Sequence, residues 1–368
     1  MLCYNVLGGD IVIYIHTEPL YNDSPWCKTI YSGLVYELEK CKIDYTTERF
    51  ISCNSGERSF AFIIGSIETW LAERISMCEA CGIHPIILSS QSYDNFKGRC
   101  SCITSNVRQS VLSVVKYLSS HGRNKTAIYG INPDSITNKT QLILFSELLD
   151  GKLESDDIYY NNGSLSECCD RLSCRIHSYD SVISVNDFAT VLLMKKYPDL
   201  SDRIKVISYG WTTLANKFFP NIINVSMGYE DFGRAAVSIL GILENNSAIE
   251  HIDVTVKCRF DDELISFLSK NDRVLTFTSE NNDTKDVRFY SDESVRKMIT
   301  LENMLKLCDS IDMDIIDMML LGKGYEEISE KLFCAENTVK YRVRKMKENC
   351  GCTSRKDMIS LIKEFCEI

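Results

Sequence analysis

Short apolar runs alternate with stretches of helical period over the first 260 residues, and no other feature of the sequence restricts the fold as much. The runs are Ile11–Ile15, Ala61–Ile64, Pro85–Leu88, Thr126–Tyr129, Ser181–Val185 and Lys205–Tyr209. Each is short and nearly unbroken, as a strand buried on both faces must be. Between them Ile30–Leu38, Leu71–Cys81, Val107–Leu118 and Phe188–Lys196 repeat apolar residues at helical spacing. Strand and helix in strict alternation predict βαβ units and a parallel sheet. Two sets of such units predict two α/β lobes, with any ligand at the carboxyl ends of the strands.

After Phe260 the alternation stops. Ser279–Glu293 is polar and acidic and reads as a linker or exposed loop. From Leu301 onward the period is helical throughout. Ile315, Ile316, Met319 and Leu320 form one stripe, closed by Gly322-Lys-Gly324. Tyr325–Leu332 buries Ile328 and Leu332; a turn at Phe333–Ala335 leads to a third helix with Val339, Val343, Met346 and Cys350 on one face. Gly351 ends it, and Arg355–Phe365 buries Met358, Ile359, Ile362 and Phe365. A chain of 368 residues is too long for one core. The expected organisation is an α/β part at 1–260, a connector at 261–306 and an all-α, four-helix part at 307–368.

The formal net charge of −10 argues against nucleic acid on average. Locally it does not: Lys340, Arg342, Arg344, Lys345 and Lys347 stand against Glu336, a balance of about +4. With Val339, Val343 and Met346 turned inward, Lys340, Tyr341, Arg344 and Lys347 must point outward. A helix apolar behind and cationic in front, held through a tight turn, has the shape that enters a major groove. A basic face can equally be a solvated one.

The stretch Glu327-Ile-Ser-Glu-Lys-Leu-Phe-Cys-Ala-Glu-Asn-Thr-Val-Lys340, followed by Lys345-Met-Lys and Gly351-Cys-Thr-Ser-Arg355, resembles the C-terminal helix-turn-helix of LuxR (GerE-type) regulators. The resemblance covers roughly Asp312 to Phe365. It implies that Lys340, Tyr341 and Arg344 touch bases and that Thr338 touches phosphate, with Arg342, Lys345 and Lys347 as further cations. Ala335 stands where the family carries an N-cap serine, a loss of about 1 kcal/mol. Arg342 replaces a histidine, and the family's opening signature is reduced to Cys308–Asp312.

The first 260 residues resemble the effector domain of LacI-type regulators, a periplasmic-binding-protein fold of two α/β lobes. Tyr179–Ala189 resembles that family's strand ending in Asn-Asp, and Ile204–Ala215 its Gly-Phe-Asp-Asp segment. Asn224–Met227 resembles a crossover and Gly233–Ala236 a helix start. In that family the helix-turn-helix is N-terminal; here it is C-terminal. The resemblance implies ligand contacts from Asn186 and Asp187, with Trp211, Trp26 and Tyr21 as aromatic faces. Asn186-Asp187 suit a helix N-cap equally well. Three of the family's charged positions are neutral here: Ser105, Gln141 and Gly210. The expected effector is therefore less polar than a free sugar, or absent.

Other chemistry finds little support. The seventeen cysteines are an odd count in a long chain, and Cys78-Glu-Ala-Cys81 lies inside a helical pattern with no second pair at zinc spacing. The five histidines are scattered. No phosphate loop or nucleophile elbow is present, so neither an enzyme, a cofactor nor a metal is expected. No run reaches membrane-span length and no secretory pattern opens the chain, which points to the cytoplasm. The expected partners are double-stranded DNA, a small-molecule effector and a second copy of the chain, paired through Ile359 and Ile362. The alternative is an interaction or dimerisation protein whose sensor no longer takes a ligand.

Overall fold

The structure, a computed structural model, describes residues 12–48, 59–90, 94–149, 151–270 and 292–365. Among these, one compact unit holds 12–121, 133–149 and 225–270, and a second holds 122–132, 151–224 and 292–365. Ile11 and most of the acidic Ser279–Glu293 stretch lie outside the described residues.

In chain order the first unit contributes β1 (Val12–Thr17), α1 (Pro25–Lys40), β2 (Ser59–Ile64), α2 (Glu68–Cys81), β3 (Ile83–Leu88), β4 (Ser101–Ser105) and α3 (Val107–Ser120). β5 (Thr126–Ile131) belongs to the second unit and α4 (Ile136–Leu148) to the first. The second unit continues with β6 (Ile158–Tyr160), α5 (Leu165–Ser173), β7 (Ser181–Ser184), α6 (Asp187–Lys196), α7 (Leu200–Arg203), β8 (Lys205–Tyr209) and α8 (Thr213–Phe218). Within β9 (Ile223–Ser226) the chain re-enters the first unit, which closes with α9 (Phe232–Asn245), β10 (Asp253–Val256), β11 (Arg259–Phe260) and α10 (Asp262–Lys270). α11 (Glu293–Leu305), α12 (Ser310–Leu320), α13 (Tyr325–Lys331), α14 (Glu336–Asn349) and α15 (Arg355–Phe365) complete the second unit.

Each unit is built on a sheet, as the alternation requires. The first has the order β1-β2-β3-β4-β10, parallel at every step. An isolated parallel bridge joins Tyr14 to Thr46 on the other side of β1. In the second sheet β9-β8-β7-β5-β6 are neighbours, and β6, β5, β7 and β8 run parallel. β11 pairs antiparallel with Val225 and Ser226. All six expected strands form. β4, β6 and β10 were not legible, because Ser-Cys-Ile-Thr-Ser and the short or exposed runs carry too little apolar signal. Asn224–Met227, read as a crossover, falls mostly within β9.

The helices bury what their periodicity assigns. α1 buries Cys27, Ile30, Leu34 and Leu38, and α2 buries Leu71, Ile75 and Cys78. Cys78 packs with Cys100 and Cys102 in an apolar cluster of the first unit, so it serves as a small hydrophobe. In the second unit a continuous cluster runs from Leu165, Phe188 and Leu214 through Met298, Leu301 and Met304 to Ile328, Val343, Met358 and Phe365. The C-terminal helices therefore share one core with the α/β elements of that unit.

Candidate DNA interface and ligand site

The C-terminal helices are defined by their ends. Asp309 caps α12 by accepting from the Asp312 amide (2.9 Å), and the Asp312 side chain accepts in return from the Asp309 amide (3.2 Å). At its other end Gly322 has φ +80°, with Gly322 N donating to Met319 O and Lys323 N to Met318 O. That is the paired closure of a left-handed C-terminal cap. α13 ends by the same two bonds, Phe333 N to Glu330 O and Cys334 N to Ser329 O. Here, however, the left-handed position carries Phe333 (φ 52°) in place of glycine, and its ring is 97% exposed. The strain costs on the order of 1 kcal/mol, and the exposure adds nothing to folding. Phe333 stands three residues before α14, where sequence reading assigned only a turn.

α14 starts from Ala335, whose side chain makes no cap bond. Val339, Val343 and Met346 are buried behind it, and Thr338, Lys340, Tyr341, Arg344 and Lys345 are exposed in front. Their interactions are loose. Lys340 Nζ lies 2.8 Å from Glu336, and Arg344 Nε 3.9 Å from Glu348, with the Arg344 guanidinium 5.3 Å from the Tyr341 ring centre. Exposed pairs of this kind contribute ~0–1 kcal/mol and give way to a stronger anion. Lys347 is half-buried and donates to Thr353 O (3.2 Å).

Arg342 is placed differently. Its Nη1 donates to both carboxylate oxygens of Asp309 (3.0 and 2.9 Å) and to Asp312 (2.9 Å). These acids form the N-terminal cap of α12, so Arg342 ties α14 to α12. The Asp309 carboxyl is held below its ordinary range, first by the Asp312 amide and then by Arg342. The acids of Cys308–Asp312, which depart from the LuxR opening signature, are thus matched by the arginine that departs from it on α14.

At the carboxyl end of β7 the two polar residues separate in role. Asn186 caps α6, accepting from Phe188 N (2.8 Å) and Ala189 N (3.2 Å). Asp187, 4% exposed, accepts from Ser208 Oγ (2.7 Å) and Thr212 N (2.6 Å). Burial holds its carboxyl above the ordinary range, against the Thr212 and Ser208 hydrogen bonds. A Cβ at Gly210 would lie 2.2 Å from the Asp187 Cγ, so the missing side chain at 210 is the space this carboxylate occupies. A second buried acid, Glu302 of α11, takes the next two amides of the same turn, Thr213 N (3.1 Å) and Leu214 N (2.9 Å). Burial raises its carboxyl also. Trp211 lies in this turn, 40% exposed.

In the first unit Tyr21 is buried, its ring 5.5 Å from Trp26, which lies 6.1 Å from Tyr229. Two neutral replacements are also used internally. Ser105 Oγ donates to Met227 O (2.7 Å), and the buried Gln141 accepts from Asn138 Nδ2 (3.2 Å). The same unit contains a cavity of about 680 Å³ at the end of β1, lined among others by His16, Thr17, Lys28, Tyr31, Trp70 and Arg74. None of these six was singled out from sequence. They come from three separated segments, and only the placement of α1 and α2 around β1 assembles them.

Residues 312–362 match the family model of the bacterial regulatory proteins of the luxR family. No curated protein sequence matches the chain. Among solved structures it is similar to the transcription regulator CcpA of Lactococcus lactis, at 14% identity and TM-score 0.54, covering 68% of this chain and 98% of that one. The Escherichia coli transcriptional repressor ascG is similar at 12% identity and TM-score 0.52, covering 69% and 97%. A LacI family regulator from Enterococcus faecium with bound ribose is similar at 14% identity and TM-score 0.52, covering 68% and 97%. At these identities the likeness shows the fold, which is the LacI-type regulator fold in mixed α/β parallel sheets. With its C-terminal luxR-type helix-turn-helix, the chain is a DNA-binding transcription regulator. No helix among the described residues is long and apolar enough to cross a membrane.

Proposed function

We propose that α14 reads duplex DNA in the major groove and that the α/β body, at 1–260, senses a small molecule, with 261–306 as connector and 307–368 as reader. The observation that carries the reading is the outward row Thr338, Lys340, Tyr341, Arg344 and Lys345 over a buried Val339–Val343–Met346 face, inside the luxR-type match. Arg344 and Lys340 read base edges, Tyr341 contacts a thymine methyl or phosphate, and Thr338, Lys345 and Lys347 hold phosphates. Arg342 positions α14 through Asp309 and Asp312. The regulator acts in the cytoplasm as a homodimer and catalyses nothing. Ile362 is fully buried in the core, which leaves the half-buried Ile359 as the candidate for the dimer seam.

Coupling follows from the turn before α8. Asp187 holds Thr212, and Glu302 holds Thr213 and Leu214. Since α11 packs against both α8 and α14, a shift of this turn passes to the reading helix through packed side chains.

Fluorescence anisotropy with specific and random duplexes at two salt concentrations tests the proposal. Binding falls with salt at a log–log slope of about −0.9 per neutralised phosphate. Arg344→Ala weakens specific binding by ~1–3 kcal/mol, and Lys347→Ala weakens all sequences alike. Phe333→Gly stabilises the fold by about 1 kcal/mol. Salt-independent binding, or none, would sink the DNA reading.

A second reading is favoured by one set of observations. Ser105, Gln141 and Asp187 are all satisfied within the protein. A LacI-like body whose strand-end polar groups are consumed internally could serve as an interaction scaffold without a ligand. A thermal-shift screen of sugars, nucleosides and aromatic metabolites separates the two, because a ligand at a hundred times its dissociation constant stabilises by about 2.7 kcal/mol.

A further inference from the structure

The cavity at the end of β1 lies wholly within the first unit, and three of its features point to one ligand chemistry. The first is position. β1 has β2 on one side and the Thr46 bridge on the other. Leaving β1 the chain turns into α1, and leaving β2 into α2, and residues of both helices line the cavity. Open parallel sheets bind ligands at such strand ends, where the order reverses. A volume of about 680 Å³ suits a metabolite.

The second feature is charge. In a chain of net charge −10, the lining gathers the two cations Arg74 and Lys28. The acids beside them are turned to solvent: Asp23, 3.0 Å from Lys28 Nζ, has its side chain 89% exposed, and Glu73, 3.9 Å from Arg74 Nη2, has its side chain 70% exposed. The Arg74 Nε is buried and has no hydrogen-bond partner among the described residues. Glu18, the buried acid nearby, accepts from Ser66 N (2.8 Å) and Ile67 N (3.1 Å).

The third feature is the aromatic wall. The Arg74 guanidinium lies 5.8 Å from the centre of the Trp70 ring, a cation–π contact. The ring in turn sits on Gly65, where a Cβ would come within 2.8 Å of Trp70 Cζ3. Tyr31 supplies a second flat face.

We infer that this cavity binds a small organic anion, its carboxylate or phosphate on Arg74 and Lys28 and its flat apolar body between Trp70 and Tyr31. The inference rests on the reading of the α/β body as a sensor and names the effector class. It also accounts for sensing by a protein whose Asn186, Asp187, Ser105 and Gln141 are occupied internally.

Calorimetric titration of the full chain with benzoate, phenyl phosphate, inorganic phosphate and benzyl alcohol tests it. One or both aryl anions bind, and the tighter of the two identifies the anionic group. Benzyl alcohol, the same ring without charge, binds at least about tenfold more weakly. Arg74→Gln weakens the tighter aryl anion by at least about tenfold. Lys152→Gln, which removes a cation from the second unit, leaves it unchanged. Should Arg74→Gln lower the melting temperature, Lys28→Gln repeats the test on a more exposed side chain. Inorganic phosphate as tight as phenyl phosphate overturns the aromatic half of the inference. Equal binding of benzyl alcohol, no binding of either aryl anion, or indifference to both Arg74→Gln and Lys28→Gln overturns it entirely. The same preparations are titrated with duplex DNA. DNA binding without aryl-anion binding removes this inference alone, whereas aryl-anion binding without DNA binding removes the regulator reading and leaves the cavity assignment standing.

Discussion

The strand ends of the two units make opposite use of the same geometry. After β8 in the second unit, a buried carboxylate fills the space left by Gly210, and every amide from Thr212 to Leu214 has an acidic acceptor. After β1 in the first unit, a cavity remains, and arginine, lysine and histidine line it beside half-buried aromatics. Parallel sheets gather polar groups at their carboxyl ends in both cases. Polar residues at a strand end therefore do not by themselves mark a site. What matters is whether the protein already satisfies them.

The sharpest way to break this comparison is to open the closed end. Glu302→Ala strips the acceptor from the buried Leu214 amide and the half-buried Thr213 amide, and the expected loss is ~3 kcal/mol in chemical denaturation. A loss below about 1 kcal/mol would mean that water replaces the carboxylate and that the end is not closed. Gly210→Ala places a methyl against the Asp187 carboxylate and should cost ~2 kcal/mol, since that carboxylate is buried and pinned by Ser208 and Thr212. Combining it with Asp187→Ala should cost less than the two single losses together.

Titration should give the two ends opposite signs. Asp187 and Glu302 are both held above their ordinary values of 3.8 and 4.5, chiefly by burial. The folded state thus holds their protons more tightly than the unfolded chain does. Their contribution is greatest at acid pH and is lost as pH rises through those ordinary values toward the raised ones. Relative to an Asp187→Asn/Glu302→Gln variant, the protein should lose stability across that rise. His16 is held below 6.5, first by burial, against a hydrogen bond to Glu48 O, and then by Arg74. Its neutral form suits the fold, so its contribution is present above 6.5 and is lost as pH falls through that value toward the lowered one. Denaturation midpoints against pH for the double variant and for His16→Gln check both signs, and equal signs would undo the contrast. The smallest effect is expected from Gly65→Ala. Its methyl meets the edge of Trp70, which borders the cavity and can shift, and comes 3.1 Å from Glu18 Oε2, which needs to give only a few tenths of an ångström, so a loss of ~1 kcal/mol and a changed tryptophan emission are expected.

Much of the architecture was legible because it is written in local period. All six apolar runs became strands, and the third C-terminal helix buried Val339, Val343 and Met346 as its spacing required. The exposed face of α14 followed from that same spacing. Arg342 did not follow the simple rule of charge: its partners Asp309 and Asp312 lie 33 and 30 residues earlier, and only the packing of α12 on α14 brings them together.

The alternation of strands and helices, the glycine cap of α12 and the apolar back of α14 were all set by the sequence alone, since each depends on residues within a turn or two. Tertiary structure alone decided which polar groups remain available. Asp187 finds Ser208 and Thr212 across 21 and 25 residues, and Glu302 reaches back 89 and 88 residues to Thr213 and Leu214. The cavity at β1 collects Thr17, Thr47 and Arg74 from separate segments. A buried carboxylate is costly unless its hydrogen bonds are made, so the fold settles around those bonds wherever in the chain the partners lie. No local period records them.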